Sequence, residues 1–492
     1  MKLKVKNFDW LAGRPVVILN NKTAKKINVF QGDRVCIQNS KKFYSIVDIF
    51  PKLVNEKEIG LSTELTKLLD IKQGSLVDIS PAPMSSASVL IKKKINGKTL
   101  TEKEYSTIIE EIVTNNLTEA EIAYFIAAQK MQKMTTNESI SLTKAMVKQG
   151  EKLKFDSKYV ADKHCIGGIA GNRTTPIVTS ICAAAGLIMP KSSSRAITSA
   201  AGTADVIETL SNVEISLSEL KQIVNKHNAC LVWGGSLGLS PSDDKIIQVE
   251  RLLNLDVESQ LLASIMSKKI SAGSKYILID IPYGPGGKIH SITQAKSLGN
   301  KFKQIASAFN VKIKIAYTNG NQPIGNGIGP VLEMLDVLKV LKNEPTAPKD
   351  LKEKSLHLAS DLLTLCGEKN SYKKAKEILT SGKAYEKFKN IINAQNKSND
   401  FDKRVEELKL APYKKTIKSW ENKKIIKIDN KKINTLCRIL GSPETIGSGV
   451  YLHKHLGKIS AKQDLITLYS ASKQKIKEAE DYYKKEKPIT LK

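Results

Sequence analysis

The chain has 492 residues, enough for about three domains at roughly 150 residues each, and its 41% hydrophobic and 26% charged content is ordinary for a globular protein. That balance excludes a mainly disordered chain, a collagen-like fibre and a disulfide-stapled scaffold, and no apolar run approaches the ~20 residues that span a bilayer. Lys and Arg outnumber Asp and Glu by 78 to 49, yet 71 of the 78 are lysines spread along the chain, so a solvated basic surface is expected rather than a specific nucleic-acid site.

The opening run MKLKVKNFDW has no apolar h-region, and a cytoplasmic protein is expected. Residues 1–84 read as β-rich with an internal repeat. Ile27 to Gln38 (INVFQGDRVCIQ) and Leu69 to Ser80 (LDIKQGSLVDIS) match at an offset of 42. In each copy a Gly-containing turn leads into an alternating strand, which predicts a small pseudo-twofold barrel of the double-psi kind. Pro81-Ala82-Pro83 and the serines after it read as a linker. Residues 85–160 carry helical patterns, with starts at Leu117-Thr118-Glu119 and Thr136-Asn137-Glu138, and about 244–270 is expected to rejoin them. Across 161–340 short apolar strands alternate with helices, an α/β pattern. Residues 341–492 are Lys-rich and helical, then β-rich after Lys423, predicting a C-terminal α+β domain. The six cysteines (Cys36, Cys165, Cys182, Cys230, Cys366 and Cys437) form no CxxC pair and read as reduced thiols.

Chemistry concentrates in two segments. The first, Lys163-His164-Cys165-Ile166-Gly167-Gly168-Ile169-Ala170-Gly171-Asn172-Arg173-Thr174-Thr175-Pro176, follows a short strand and precedes an apolar helix. Pro176 suits the first helical position and Thr175 the N-cap. Glycines before a helix N-terminus let backbone N–H groups surround an anion. The Walker order GxxxxGK[ST] is missing, so phosphate binding and a structural turn both fit. The second segment, Ser192 to Asp205, is crowded with hydroxyl residues between a strand and a helix, where α/β folds place ligands. Thr203 suits the cap of a helix running to Leu210, while Asp205 competes with any anion there. Two such loops favour a phosphorylated substrate, or phosphate plus substrate. Arg173, Arg195 and Arg251 are three of only seven arginines, and each offers a planar fork of donors.

The KHxxGG run, Ser193-to-Glu208 (SSRAITSAAGTADVIE) and Gln322-Pro323-Ile324-Gly325-Asn326-Gly327-Ile328-Gly329-Pro330 resemble the thymidine/pyrimidine-nucleoside phosphorylase family, in particular its AMP (nucleoside monophosphate) phosphorylase branch. The resemblance covers essentially the whole chain, including an extra N-terminal domain. It implies the class II nucleoside phosphorylase fold, a helical domain plus a mixed-sheet α/β domain. It implies phosphorolysis of AMP, and of CMP and UMP, with inorganic phosphate, no metal or organic cofactor, and a homodimer or larger homo-oligomer. Matched by motif, Gly168, Ser194, Arg195, Ala196, Ile197, Thr198, Ser199, Thr203, Ser264 and Lys288 should line the nucleotide site. Lys163, Ser193 and Thr203 should hold inorganic phosphate, and Asp256 should donate a proton to the leaving base. On a continuous helix Asp256 and Ser264 would share a face. Arg195 is expected to clamp the nucleotide phosphate; an ion pair within the fold is the alternative. His164 reads as a positioning residue. The family usually has Ser where this chain has Cys165, a weaker donor. The rival readings are a thymidine or uridine phosphorylase, a phosphoribosyltransferase of the same broad fold, and an RNA-binding protein suggested by the +29 charge.

Overall fold

The computed structural model describes residues 1–10, 14–39, 41–196, 199–253 and 255–492. They form two compact units: Met1–Gln149 with Pro241–Ala263, and Gly150–Ser240 with Ser264–Lys492.

The first unit begins with six strands, β1 (Lys2–Phe8), β2 (Val16–Leu19), β3 (Arg34–Gln38), β4 (Lys42–Ile49), β5 (Glu58–Ser62) and β6 (Leu76–Pro81), and two short helices, α1 (Asn21–Lys26) and α2 (Thr63–Leu69). The strands close a barrel in the order β1-β5-β2-β4-β3-β6. Alternation in β1 sends Leu3 and Val5 inward, against Val17, Leu19, Ile37, Ile59 and Ile79. The repeat has a structural counterpart. Ile18 pairs with Gly60 and Ile37 with Ile79, so residues 42 apart face each other across two antiparallel ladders.

The same unit continues through α3 (Ser86–Ile95), α4 (Glu102–Val113), α5 (Glu119–Met131) and α6 (Thr136–Gln149). Thr101 and Thr118 each close a capping box, with Glu104 and Glu121, which fixes where α4 and α5 start. Tyr105, Ile108, Ile112, Phe125, Ile126 and Met146 form the core of this bundle. Ile246 and Val249 of α10 (Pro241–Leu253) pack into it, and so does Val257.

The second unit is built on β7 (Ala161–Cys165), α7 (Thr174–Ala184), β8 (Met189–Ser193), α8 (Thr203–Glu208), α9 (Leu217–His227), β9 (Ala229–Trp233), α11 (Glu258–Ser271, which starts in the first unit), β10 (Tyr276–Tyr283), α12 (Ile292–Ala308) and β11 (Lys312–Asn319). Strand β10 lies parallel between β7 and β11, and β8 is parallel to β9; a Val160–Ile188 bridge links the two groups. A mixed sheet is expected from the sequence, but these strands pair in parallel throughout the described residues. The antiparallel strands of this unit lie further on, where β12 (Gly327–Ile328) joins β13 (Tyr413–Lys418), β15 (Gly449–Leu452) and β17 (Asp464–Ser470).

The C-terminal half contains α13 (Pro330–Leu341), α14 (Lys349–Leu365), α15 (Ser371–Thr380), α16 (Lys383–Asn396), α17 (Phe401–Glu406), β14 (Lys423–Ile428), α18 (Asn430–Leu440), β16 (Gly457–Ile459), α19 (Lys473–Glu486) and β18 (Ile489–Leu491). The boundary expected at 340/341 does not divide the core. Leu351, Leu362, Leu379, Phe388 and Ile392 of α14–α16 join Ile177, Ile181, Met189 and Leu278 in one cluster. The lysines of these helices lie mostly on their outer faces, while an apolar stripe at helical spacing is buried.

Candidate functional site

Strand β7 sends Lys163 toward α7. Its ammonium group is buried and donates to the Thr174 hydroxyl at 2.7 Å, on the first turn of that helix. Burial holds the Lys163 pKa below its usual value, while the nearby Asp280 carboxylate acts in the opposite direction. Asp280 is itself bound by Thr318 at 2.5 Å and by Lys354 at 3.1 Å. A buried cation at a helix N-terminus adds to the positive end of the helix dipole instead of cancelling it. The helix starts at Thr174 with Arg173 at the N-cap, and no side chain caps it. The expected cap at Thr175 therefore shifts by two residues, which leaves Pro176 within the first turn, where its missing N–H costs nothing.

Between strand and helix, Gly167, Gly168 and Gly171 adopt positive φ. At Gly168 a Cβ would lie 2.7 Å from the Lys288 backbone nitrogen, so only glycine lets the loop around Lys288 approach this closely. The Cys165 sulfur accepts from Gly167 N–H at 3.4 Å and from Asn172 Nδ2 at 3.2 Å.

The second loop leaves β8 at Ser193. The Ser193 hydroxyl oxygen is closed off from solvent and has no hydrogen-bond partner among the described residues. Ala204 N–H donates to the Ser194 carbonyl at 3.2 Å, folding the loop back on itself. Helix α8 starts at Thr203 with Gly202 at its N-cap, and it ends at Glu208. Thr203 therefore does not cap it, and its hydroxyl accepts from Arg173 Nη1 at 2.7 Å. Asp205 accepts from the N–H groups of Ala196 and Gly202, both at 2.7 Å, and so holds the loop closed. Ser199 donates to the Ala201 carbonyl at 3.0 Å. Ile197 and Thr198 lie outside the described residues.

Arg195 is fully engaged. Its guanidinium pairs with Glu208, with Glu214 at 2.9 Å and with Asp205 at 3.5 Å, and lies 5.0 Å from the centre of the Trp233 ring. These hydrogen bonds and charges hold it firmly protonated. The ion-pair alternative thus describes the arrangement seen.

Two contacts from distant sequence join the loops. Arg173 bridges Thr203, the Ala201 carbonyl (2.9 Å) and the buried Glu333 carboxylate (2.6 Å). Burial raises the Glu333 pKa, and the Arg173 charge opposes the rise. Asn430 and Asn434, one turn apart on α18, accept from Ala170 N–H and Ala200 N–H respectively, both at 3.0 Å. One helix face thus fixes the backbone of both loops. None of these roles was visible as a motif: an Asn-x-x-x-Asn spacing on a helix is too common to signal one.

His164 is held neutral: burial comes first, then the charges of Lys269 and Lys191. Ser264 lies on α11 and is half-buried. Asp256 belongs to the first unit, is exposed, and precedes α11, which starts at Glu258. It therefore does not share a helical face with Ser264. Among the described residues no group of three or more His, Cys, Asp or Glu side chains could hold a metal ion.

A glycosyl transferase family model for a helical bundle domain matches residues 88–150, and the family's α/β domain model matches 157–385. AMP phosphorylase 1 of Archaeoglobus fulgidus is 37% identical, covering 100% of this chain and 97% of that protein. AMP phosphorylase of Pyrococcus furiosus is 39% identical, covering 100% and 98%. The chain belongs to the thymidine/pyrimidine-nucleoside phosphorylase family. Within that family it is also 39% identical to a putative thymidine phosphorylase of Tolumonas auensis, over 85% of this chain and 82% of that protein. Anthranilate phosphoribosyltransferase from Thermus thermophilus shares 16% identity and a TM-score of 0.54, covering 62% of this chain and 98% of that one. That likeness shows the fold alone. No helix of the described residues is long and apolar enough to cross a membrane.

Proposed function

We propose that this chain catalyses the reversible phosphorolysis of AMP, giving adenine and ribose 1,5-bisphosphate, with CMP and UMP as further substrates. The observation that carries the reading is the buried Lys163 ammonium against the first turn of α7, beside a left-handed glycine loop. Two sources of positive potential converge there, which suits inorganic phosphate. The full-length likeness to AMP phosphorylases supports the choice of nucleotide.

In this reading Lys163, Ser193 and Thr203 hold inorganic phosphate. The buried Ser193 hydroxyl, without a hydrogen-bond partner among the described residues, supplies a donor to it. One phosphate oxygen attacks the anomeric carbon of the ribose. The N-glycosidic bond breaks, its electron pair passes to the base, and Asp256 supplies the proton the base needs. Gly168, Ser194 to Ser199, Thr203, Ser264 and Lys288 line the nucleotide. Arg195 reaches the 5′-phosphate by exchanging carboxylate partners for phosphate oxygens. The reading also includes a double-psi barrel at the N-terminus, a cytoplasmic location and a homodimer or larger homo-oligomer. Bound metal or organic cofactor has no role in it.

The test is base release from AMP, CMP, UMP, adenosine, uridine and thymidine, with and without phosphate. Phosphate-dependent release from the monophosphates is expected. Release from nucleosides alone would overturn the reading in favour of a pyrimidine-nucleoside phosphorylase.

A further inference from the structure

A second charged cluster lies on the opposite face of β7 from Lys163. Asp162, 1% exposed, accepts from Lys191 Nζ at 3.0 Å through one carboxylate oxygen and forms an ion pair with Lys269 Nζ at 2.7 Å through the other. Both lysines are 3% exposed. The Lys269, Lys191 and Lys268 charges act on His164 of β7, and Asp162, Lys191 and Lys269 act on Cys230 of β9. Two buried ammonium groups thus share one buried carboxylate, and burial, against the pull of Asp162, holds the Lys269 pKa far below the usual lysine value, so the second positive charge is complete only when more negative charge is near. Such a surplus is costly in a low-dielectric interior unless further negative charge approaches.

Position says which charge that is. Asp162 directly precedes Lys163, and Lys191 precedes Ser192 and Ser193 at the end of β8. Lys269 also points at the Ser192 carbonyl, 3.4 Å away. The surplus therefore sits under the two strand ends that carry Lys163 and the unpartnered Ser193 hydroxyl. Within the second unit, the cluster also ties β7, β8 and α11 to a single carboxylate.

We propose that Lys191 and Lys269 are positioning residues for inorganic phosphate: they brace the ends of β7 and β8 around Asp162 and leave a buried positive charge that the bound anion completes. This rests on the phosphorolysis reading above. It predicts opposite signs for two properties that a plain structural brace would move together. Replacing Lys191 with a neutral side chain of similar length leaves a balanced Asp162–Lys269 pair. The ligand-free protein should not lose stability, yet it should hold phosphate less well.

The experiment uses the full chain and inorganic phosphate as the probe. In wild type, phosphate should raise the melting temperature. In Lys191→Met the ligand-free melting temperature should equal or exceed that of wild type. Its phosphate-induced rise should shrink, and the KM for phosphate should increase roughly tenfold, a loss of about 1.4 kcal/mol, with the KM for AMP almost unchanged. Asp162→Asn deepens the surplus and should lower the ligand-free melting temperature while enlarging the phosphate-induced rise. A Lys191→Met protein that is less stable, or does not fold, with wild-type phosphate response elsewhere in the series, overturns the proposal. So does an unchanged phosphate KM. If wild type cleaves AMP with phosphate while the variants respond alike, only this inference falls. If wild type neither binds phosphate nor releases base, the phosphorolysis reading falls with it.

Discussion

Arg173 donates from Nη1 to the Thr203 hydroxyl at 2.7 Å, joining two loops whose sequences are 30 residues apart. The same guanidinium is paired with Glu333, which is 1% exposed. Arg173→Ala should therefore cost about 3–5 kcal/mol, because it strands a buried carboxylate. The double variant Arg173→Met/Glu333→Met should recover most of that stability. It should not recover phosphate affinity, since Thr203 loses the donor that orients its hydroxyl. Urea unfolding of Arg173→Met, Glu333→Met and the double, beside the phosphate KM of each, completes the cycle.

Asn430 and Asn434 give a second separation of acceptor from donor. Each uses Oδ1 to accept a loop N–H, from Ala170 and Ala200 respectively. Asn434→Leu should leave a buried N–H unsatisfied, cost about 1–3 kcal/mol and raise the KM for the nucleotide. Asn434→Asp keeps the acceptor and should stay close to wild type in both. Equal damage from Leu and Asp would show that the amide nitrogen, not the oxygen, matters at this position.

Local chemistry made part of this site legible. Gly167, Gly168 and the serines after Ser192 stand between a strand and a helix because the backbone turns there, and such turns are read from residue type alone. The Thr118 capping box and the 42-residue repeat are local in the same way. What holds the loops is not local. Glu333 meets Arg173 from 160 residues away, and Asn430 meets Ala170 from 260. Neither partner differs in type from dozens of solvated residues. The carboxylates that hold the Arg195 fork, Glu208 and Glu214, are no more marked in the sequence than other acidic residues. The buried stripe of α14–α16 was hidden by the lysines around it.

Cys165 stands where the resembled family carries Ser. Its sulfur accepts two hydrogen bonds, from Gly167 N–H and Asn172 Nδ2. Burial pushes the thiol pKa up, so it remains a neutral, weak donor. Cys165→Ser should keep both contacts and add a stronger O–H donor at the glycine loop. A lower phosphate KM with unchanged kcat is expected from initial rates at varied phosphate. An unchanged KM would mean that phosphate does not use this side chain.

Lys245 on α10 carries the clearest pH signature of the first unit. It donates to the carbonyl oxygens of Ile112 and Val113, at 2.9 and 3.0 Å, at the end of α4. Burial, and then the Arg34 charge, lower its pKa from 10.5 to about 8. The unfolded chain keeps the ordinary value of about 10.4. Between these two values the unfolded state binds more protons, so this residue makes stability rise with pH. Below about pH 8 both states are charged, the slope vanishes and the full penalty of burying the charge remains. Lys245→Met removes both penalty and slope, at the cost of two hydrogen bonds. The stability difference between wild type and variant should therefore move in favour of wild type by about 2–3 kcal/mol from pH 7 to pH 10.5. Urea midpoints of both proteins across that range measure it, and a difference independent of pH would show that Lys245 keeps its proton in the folded state.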